Sequence, residues 1–414
     1  MNRTELRMAL RPLAFLDAHA HSPHRYVELS QEPAPKLLVW DPDTVDWIFR
    51  SDHSLGHPGS RAMRPVLGSK SLLWTDGPRY AAYRRVLGPP LGTRRLGDYH
   101  DLITGIAGRA IDALTPGTVF TLADWTRQVT LKVAATIVLG RADTAVLGQF
   151  TAWIDRALAS VPRTFAYRLL RGGLPTSSRE LDRALVTQAR AGVSGPQATL
   201  ASLLLSDDSP VGAIDDDELR DQIVSLLFAG HETTASATAW TLFWLDRHDD
   251  VRHDVLAELS STSDSGADAK AVPLLQACVQ EALRITPPVP AAGNRRLPGD
   301  TELLGRRLPA GSVVAPSIYL AHRQPDSFPG PRRFDPARFL GRRQPPQHYL
   351  PFGGGARHCL GSQLGQLEVR VIAAALLRRR SLRCIDPHAG VPALRGHAMA
   401  PARALRMEVT ACHD

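Results

Sequence analysis

From residue 215 to about 246, apolar residues fall on nearly every side of a helical repeat. Leu219, Ile223, Leu226 and Leu227 lie in its first half, and Ala237, Trp240, Leu242 and Trp244 in its second. A helix apolar all round is buried all round. At ~1.5 Å per residue it spans roughly 45 Å, enough to cross a whole domain. Asp215, Asp216, Asp217 and Glu218 place negative charge where the N-terminal end of the helix dipole favours it. Other amphipathic or apolar stretches predict helices over residues 13–20, 44–50, 101–114, 123–139, 144–161, 179–191, 198–205, 271–285 and 364–380. A further helix opens after Asp76, which can cap it, with Pro78 suited to its first turn.

Strand-like runs are fewer. Residues 26–29 and 36–40 read as two strands, residues 302–305 and 313–315 as strands around a turn, and residues 394–409 as short extended runs around Pro401 and Ala402. Residues 53–70 are rich in Gly, Pro and Ser and read as a loop with one helical turn near Arg61. Residues 174–178, 206–212 and 260–269 also read as loops. No internal repeat or interdomain linker interrupts the pattern. The fold class expected is mainly α: one domain over residues 1–414, with a small β-rich lobe from about 25–41, 290–320 and 394–410.

Composition narrows the function. With 414 residues, 43% of them hydrophobic, the chain can bury a large core. The four cysteines, Cys278, Cys359, Cys384 and Cys412, show no C-x-x-C spacing, so neither a zinc site nor a disulfide framework is indicated. The first sixteen residues carry Arg3, Glu5, Arg7 and Arg11 and lack the apolar core of a signal peptide. No window reaches the ~20 apolar residues of a membrane span, so a cytoplasmic protein without a membrane anchor is expected. The net charge of +8 is spread along the chain as arginine and aromatics are only 6%, which argues against nucleic-acid binding.

Three motifs carry chemistry. In Pro351-Phe352-Gly353-Gly354-Gly355-Ala356-Arg357-His358-Cys359-Leu360-Gly361, one cysteine sits among glycines just before a helix. Glycines let a backbone approach a flat object closely, and a helix N-terminus favours thiolate. In the middle of the long helix stands Ala229-Gly230-His231-Glu232-Thr233-Thr234. Polar groups in a buried helix are costly unless paired, and a Thr hydroxyl can bond the carbonyl one turn back and bend the helix. The third motif, Glu281-x-x-Arg284, puts opposite charges at i,i+3 on one helix face.

Together these motifs resemble the cytochrome P450 haem-thiolate monooxygenases. The family's Phe-x-x-Gly-x-x-x-Cys-x-Gly is matched by Phe352, Gly355, Cys359 and Gly361, its Ala/Gly-Gly-x-Asp/Glu-Thr by Ala229 to Thr233, and its Glu-x-x-Arg by Glu281 and Arg284. The resemblance runs over residues 13–409. It implies a haem b held between the long central helix and the Cys-loop helix, with Cys359 as proximal iron ligand. Phe352 and Gly353 would adjoin the haem, and Arg357 would meet a propionate. Arg84 matches a second propionate contact, while Tyr80 stands where many soluble members have His. Arg295, or its neighbour Arg296, fits a further one.

Glu232 would help feed protons and Thr233 would act beside bound dioxygen. Ala229, Val289, Ala291, Ala292 and His397 would line the substrate pocket, roofed by the 53–70 loop and lidded by the helix–loop–helix of residues 144–191. Glu281, Arg284 and Arg338 would brace the Cys loop without touching the chemistry. The expected function is hydroxylation or epoxidation of a small, mostly apolar molecule of specialised metabolism. The expected partners are that substrate, O2, and a separate ferredoxin and ferredoxin reductase, with the chain a monomer. Basic residues Arg84, Arg85, Arg94, Arg95 and Arg370 suggest a docking face for an acidic electron donor. A peroxide-driven haem-thiolate enzyme and a non-catalytic haem sensor or carrier are the alternatives.

Overall fold

A computed structural model describes residues 2–59, 63–141, 143–158, 179–192, 198–263, 268, 270–395 and 398–413. The chain opens with α1 (Arg3–Leu10), α2 (Pro12–His19), strands β1 (Tyr26–Ser30) and β2 (Lys36–Val39), α3 (Pro42–Arg50) and a short α4 (Arg64–Leu67). Next come α5 (Gly77–Leu91), α6 (Leu96–Asp112), β3 (Val119–Thr121), α7 (Leu122–Leu139), α8 (Thr144–Leu158), α9 (Arg179–Ala191) and α10 (Leu200–Leu204). Helix α11 (Asp216–Asp246) is followed by α12 (Asp249–Ser261) and α13 (Pro273–Ile285). Then follow β4 (Arg295–Arg296), β5 (Thr301–Leu303), β6 (Arg306–Leu308), β7 (Val313–Pro316) and α14 (Ile318–Ala321). The chain closes with α15 (Ser362–Arg379), β8 (Arg380–Cys384), β9 (Pro392–Arg395), β10 (Ala398–Pro401) and β11 (Arg406–Cys412).

Helix α11 is the axis. Asp215 caps it, accepting from Glu218 N–H, and its 31 residues run through the largest core cluster. Helices α7 and α15 pack along it, and α6 packs on α15. The β9–β10 hairpin docks on its flank, where the Met399 carbonyl accepts from Trp240 Nε1 at 2.9 Å and from Ser236 Oγ.

The N-terminal sheet has the order β1-β2-β7-β4, with β2 and β7 parallel, Lys36 opposite Val313 and Val39 opposite Pro316. Here two expectations change. The strand of residues 313–315 does not pair with that of 302–305: β5 closes a hairpin with β6, while β7 joins β2 and β4. The segment 394–410 also divides. Its first part forms the β9–β10 hairpin, but β11 leaves that lobe and pairs with β3 and β8 beside the helices. Asp76 stands at the N-cap of α5 yet makes no capping bond, because its carboxylate serves His57 and Arg357. Among the described residues no helix is long and apolar enough to cross a membrane. Part of the expected lid, residues 159–178, lies outside the described residues, as does the turn near Arg61.

Candidate active site

The Cys loop is a tight structure fixed by its own backbone. Cys359 N–H donates to the Phe352 carbonyl at 2.9 Å, and Gly353 N–H to that of Leu350 at 3.0 Å. Gly355 has φ +66°, and a Cβ there would sit 2.4 Å from an Asp52 oxygen. A side chain at Gly354 would meet the Phe49 ring at the same distance. Only glycine fits at either position. Cys359 is accessible, yet protein surrounds it, as for a side chain lining a concavity. Burial pushes its thiol up, although the Gly361 N–H and the Arg84 charge pull it down.

On α11 the central motif divides between two faces. Ala229 is exposed and Thr233 half-buried, although most of this helix is buried. Thr233 Oγ1 donates to the Ala229 carbonyl at 2.7 Å, the expected bond one turn back. Glu232 is buried on another face, toward α7, where Arg127 Nε donates to its Oε1 at 2.7 Å and His231 Nε2 lies 3.3 Å away. Arg127 also donates to Asp155 at 2.8 Å. Burial favours the neutral acid, but His231 and Arg127 outweigh it and hold the Glu232 carboxyl down at about 2. Thus Glu232 is an anion in a fixed ionic contact. Arg127 and Asp155 were not legible from sequence, since Arg127 lies 105 residues from its partner.

The expected cationic side contains the named residues, each of them also bonded within the protein. Tyr80 O–H donates to the Ala356 carbonyl at 3.0 Å, and its ring lies 3.5 Å from the Arg357 guanidinium carbon. Arg84 donates to the His358 carbonyl at 2.8 Å. Arg295 is only 2% exposed and is taken up by Asp52, at 2.6 Å from Nε, and by the Gly293 and Gly354 carbonyls. Its partner lies 243 residues away, so the sequence carried no signal of it. Arg357 donates to the Leu72 carbonyl at 3.3 Å, to the Thr75 carbonyl and to Asp76.

Two anchors hold the loop from behind. Glu281 and Arg284 form a fully buried fork with contacts of 2.6 and 2.8 Å, and Asp335 N–H adds a third bond to Glu281 at 2.8 Å. Arg338 stands 3.4 Å from the same carboxylate, a charge contact looser than the fork. The connection to the loop is His322, which sequence reasoning missed. Its Nδ1 lies 3.1 Å from the Arg284 carbonyl and its Nε2 accepts from Leu350 N–H at 2.9 Å. Burial and the Arg284 charge hold it well below the ordinary histidine range, consistent with a neutral ring that donates from one side and accepts on the other.

Val289, Ala291 and Ala292 are half-buried in a strap tied at both ends, by Ala292 N–H to the Pro316 carbonyl at 2.8 Å and Met399 N–H to that of Pro288 at 2.7 Å. Phe352 packs on Ala237, Val279, Leu283 and Val369. His397 lies outside the described residues. Arg370, expected on a docking face, is buried and donates to Gln276 at 2.6 Å, so it contributes nothing to a surface.

These residues fit a flat, largely apolar group with anionic edges. Ala229 and the alanine strap offer apolar contact, Cys359 a soft ligand, and Arg357 has a buried Nε without a partner. Comparison with known proteins agrees. The sequence model of the family described as Cytochrome P450 matches residues 177–403. A Mycobacterium tuberculosis protein named cytochrome P450 135B1 is 33% identical over 395 residues, 91% of this chain and 83% of that protein. A Streptomyces melanosporofaciens protein named cyclooctat-9-en-7-ol 5-monooxygenase is 29% identical over 91% of this chain and 86% of its own. The solved structure of a retinoic acid-bound cyanobacterial CYP120A1 superposes with a TM-score of 0.85 at 25% identity, covering 99% of this chain and 96% of that one.

Proposed function

This chain belongs to the cytochrome P450 family and is a haem b monooxygenase, and from that premise we propose which residues serve the reaction and what it acts on. Cys359 is the iron ligand. The observation that carries this reading is an accessible thiol at the head of α15, inside a glycine loop that admits no side chain at Gly354 or Gly355. When bound, the haem supplies the iron at which O2 is activated by two electrons.

The chain's own groups manage position and protons. Thr233 keeps its hydroxyl hydrogen on the Ala229 carbonyl, which leaves the oxygen lone pairs as acceptors for an ordered water. Glu232, ionised by its contacts with Arg127 and His231, accepts and passes a proton rather than storing one. Arg357 and Arg84 receive the propionates, with Phe352 and Gly353 beside the ring. In this assignment Tyr80 supports Arg357 by stacking and holds the loop through Ala356. Arg295 acts one step back, through Asp52.

The substrate is a small, mostly apolar organic molecule of specialised metabolism, taken up against Ala229, Val289, Ala291 and Ala292 and hydroxylated or epoxidised there. The half-buried, uncharged character of these residues supports it, as does a relative named for oxidising an alkenol. Electrons come from a separate ferredoxin and its reductase. In the decisive experiment, Cys359→Ser abolishes the thiolate-type Soret band of the reduced carbon monoxide complex. Retention of that band would remove Cys359 as ligand and leave Cys278, Cys384 or Cys412.

A further inference from the structure

His57 stands between two carboxylates. Its Nε2 is 3.0 Å from Asp52 Oδ1, its Nδ1 is 2.7 Å from Asp76 Oδ1, and its backbone N–H donates to Asp76 Oδ2 at 3.0 Å. A neutral imidazole has one N–H and one lone pair. In either tautomer, one of the two ring contacts would set a lone pair against a carboxylate oxygen. Only the doubly protonated ring donates to both.

The aspartates are anions. Burial favours the neutral form of Asp52, but His57 and Arg295 outweigh it and hold the carboxyl at about 2. Asp76 is likewise held below its ordinary value, burial being outweighed by His57 and Arg357.

The outer ends of this pair are tied to the site. Asp52 takes Arg295 on both oxygens and the Arg357 backbone N–H at 3.1 Å. Asp76 takes the Arg357 guanidinium. The ring is thus the middle of a run from Arg295 to Arg357 that joins β4, the turn after α3, the start of α5 and the Cys loop. Arg296, the other charge on β4, is exposed and pairs with Gly56 through backbone only. Arg84, which donates to the His358 carbonyl, stands outside this run and adds its own charge beside it. Three cations and two anions leave the run with one net positive charge. With a neutral ring that charge would be zero, and the run would offer no net attraction to an incoming carboxylate.

We propose that His57 is a doubly protonated positioning residue that spaces Asp52 and Asp76, sets Arg357 with its unpartnered Nε available, and gives this side of the site the positive charge that receives a haem carboxylate. The proposal rests on the reading that Arg357 meets a propionate.

The test uses the haem-loaded full chain. Ring 15N resonances of His57 at neutral pH should both be of the N–H type; one pyridine-type nitrogen would overturn the proposal. His57→Gln keeps one donor but no charge, and should lose haem to apomyoglobin roughly tenfold faster, the order expected when a charged hydrogen bond is lost. His57→Lys restores charge and should be slower than His57→Gln. Wild-type rates in His57→Gln, or equal rates in the Gln and Lys variants, would overturn the proposal. Should His57→Gln not fold, the ring resonances of the wild type still decide. A wild-type carbon monoxide complex without the thiolate-type band would instead overturn the Cys359 reading, whatever His57 does.

Discussion

Arg127→Leu tests whether Glu232 is held as an anion by its neighbours. The substitution removes the guanidinium from Glu232 Oε1 and from Asp155, leaving His231 Nε2 at 3.3 Å. His231, whose Nδ1 donates to the Leu227 carbonyl at 2.7 Å, stays in place and keeps its share of the hold on Glu232. Glu232 falls from 4.5 to about 2 in the folded chain, a shift worth about 3 kcal/mol at 1.4 kcal/mol per unit. Stranding a buried charge by removing its partner costs a similar ~3–5 kcal/mol. Because His231 keeps part of the hold, the loss should lie at or below the lower figure; for 414 residues the melting entropy is about 0.9 kcal/mol per kelvin, so the midpoint should fall by roughly 1–3 °C.

The pH dependence gives a second check. A depressed carboxylate contributes stability that is complete above its unfolded value of 4.5 and lost as pH falls toward about 2. Without Arg127, burial is opposed by His231 alone, so the carboxyl rises from about 2 and the variant loses less stability than wild type as pH falls below 4.5. The gap in thermal midpoint, followed by circular dichroism on the haem-loaded protein, should be widest above pH 4.5 and narrow as pH falls below it. A gap that is absent, or constant with pH, would refute the reasoning.

Three other outcomes are expected. Thr233→Ala should retain haem but release hydrogen peroxide in place of product, measured as product formed per electron consumed; an unchanged ratio would make Thr233 a helix-bending residue only. Arg84→Ala should speed haem transfer to apomyoglobin more than Tyr80→Phe, because it removes both a charge and the bond to the His358 carbonyl, whereas the phenylalanine ring can still stack on Arg357. Glu281→Ala, which strands the fully buried Arg284, should cost about 3–5 kcal/mol in urea denaturation, and Arg338→Ala less, since its contact is 3.4 Å.

The sequence revealed this protein unevenly, for physical reasons. Helix α11 was readable because apolar residues surround it and acidic residues mark its start. Helix α1 buries no residue outright and α12 only Val255 and Leu259, so the apolar face of each is narrow. Strand β8, Arg-Ser-Leu-Arg-Cys, lacks clean alternation, because the partly buried Ser381 and Leu382 stand side by side between the buried Arg380 and Cys384. In the site, Cys359, Thr233 and the Glu281–Arg284 fork were legible because each is a local motif. The bond of Arg295 to Asp52 was not legible because it is made by tertiary packing. Arg370 was misread because an arginine in sequence looks the same whether it faces water or, as here, Gln276 inside the protein.

The pairing of β2 with β7 has a consequence for how the chain is made. Leu37, Leu38 and Val39 are at most 1% exposed in the finished protein, yet one edge of their strand is completed only by residues 313–316. A ribosome adding about 5–20 residues per second leaves that apolar edge unpaired for roughly 15–60 s. An unpaired apolar edge is a template for another chain. Nascent chains therefore carry an aggregation hazard through most of their synthesis, and overproduction should yield more folded protein when initiation is slowed, so that neighbouring chains on one message are spaced apart.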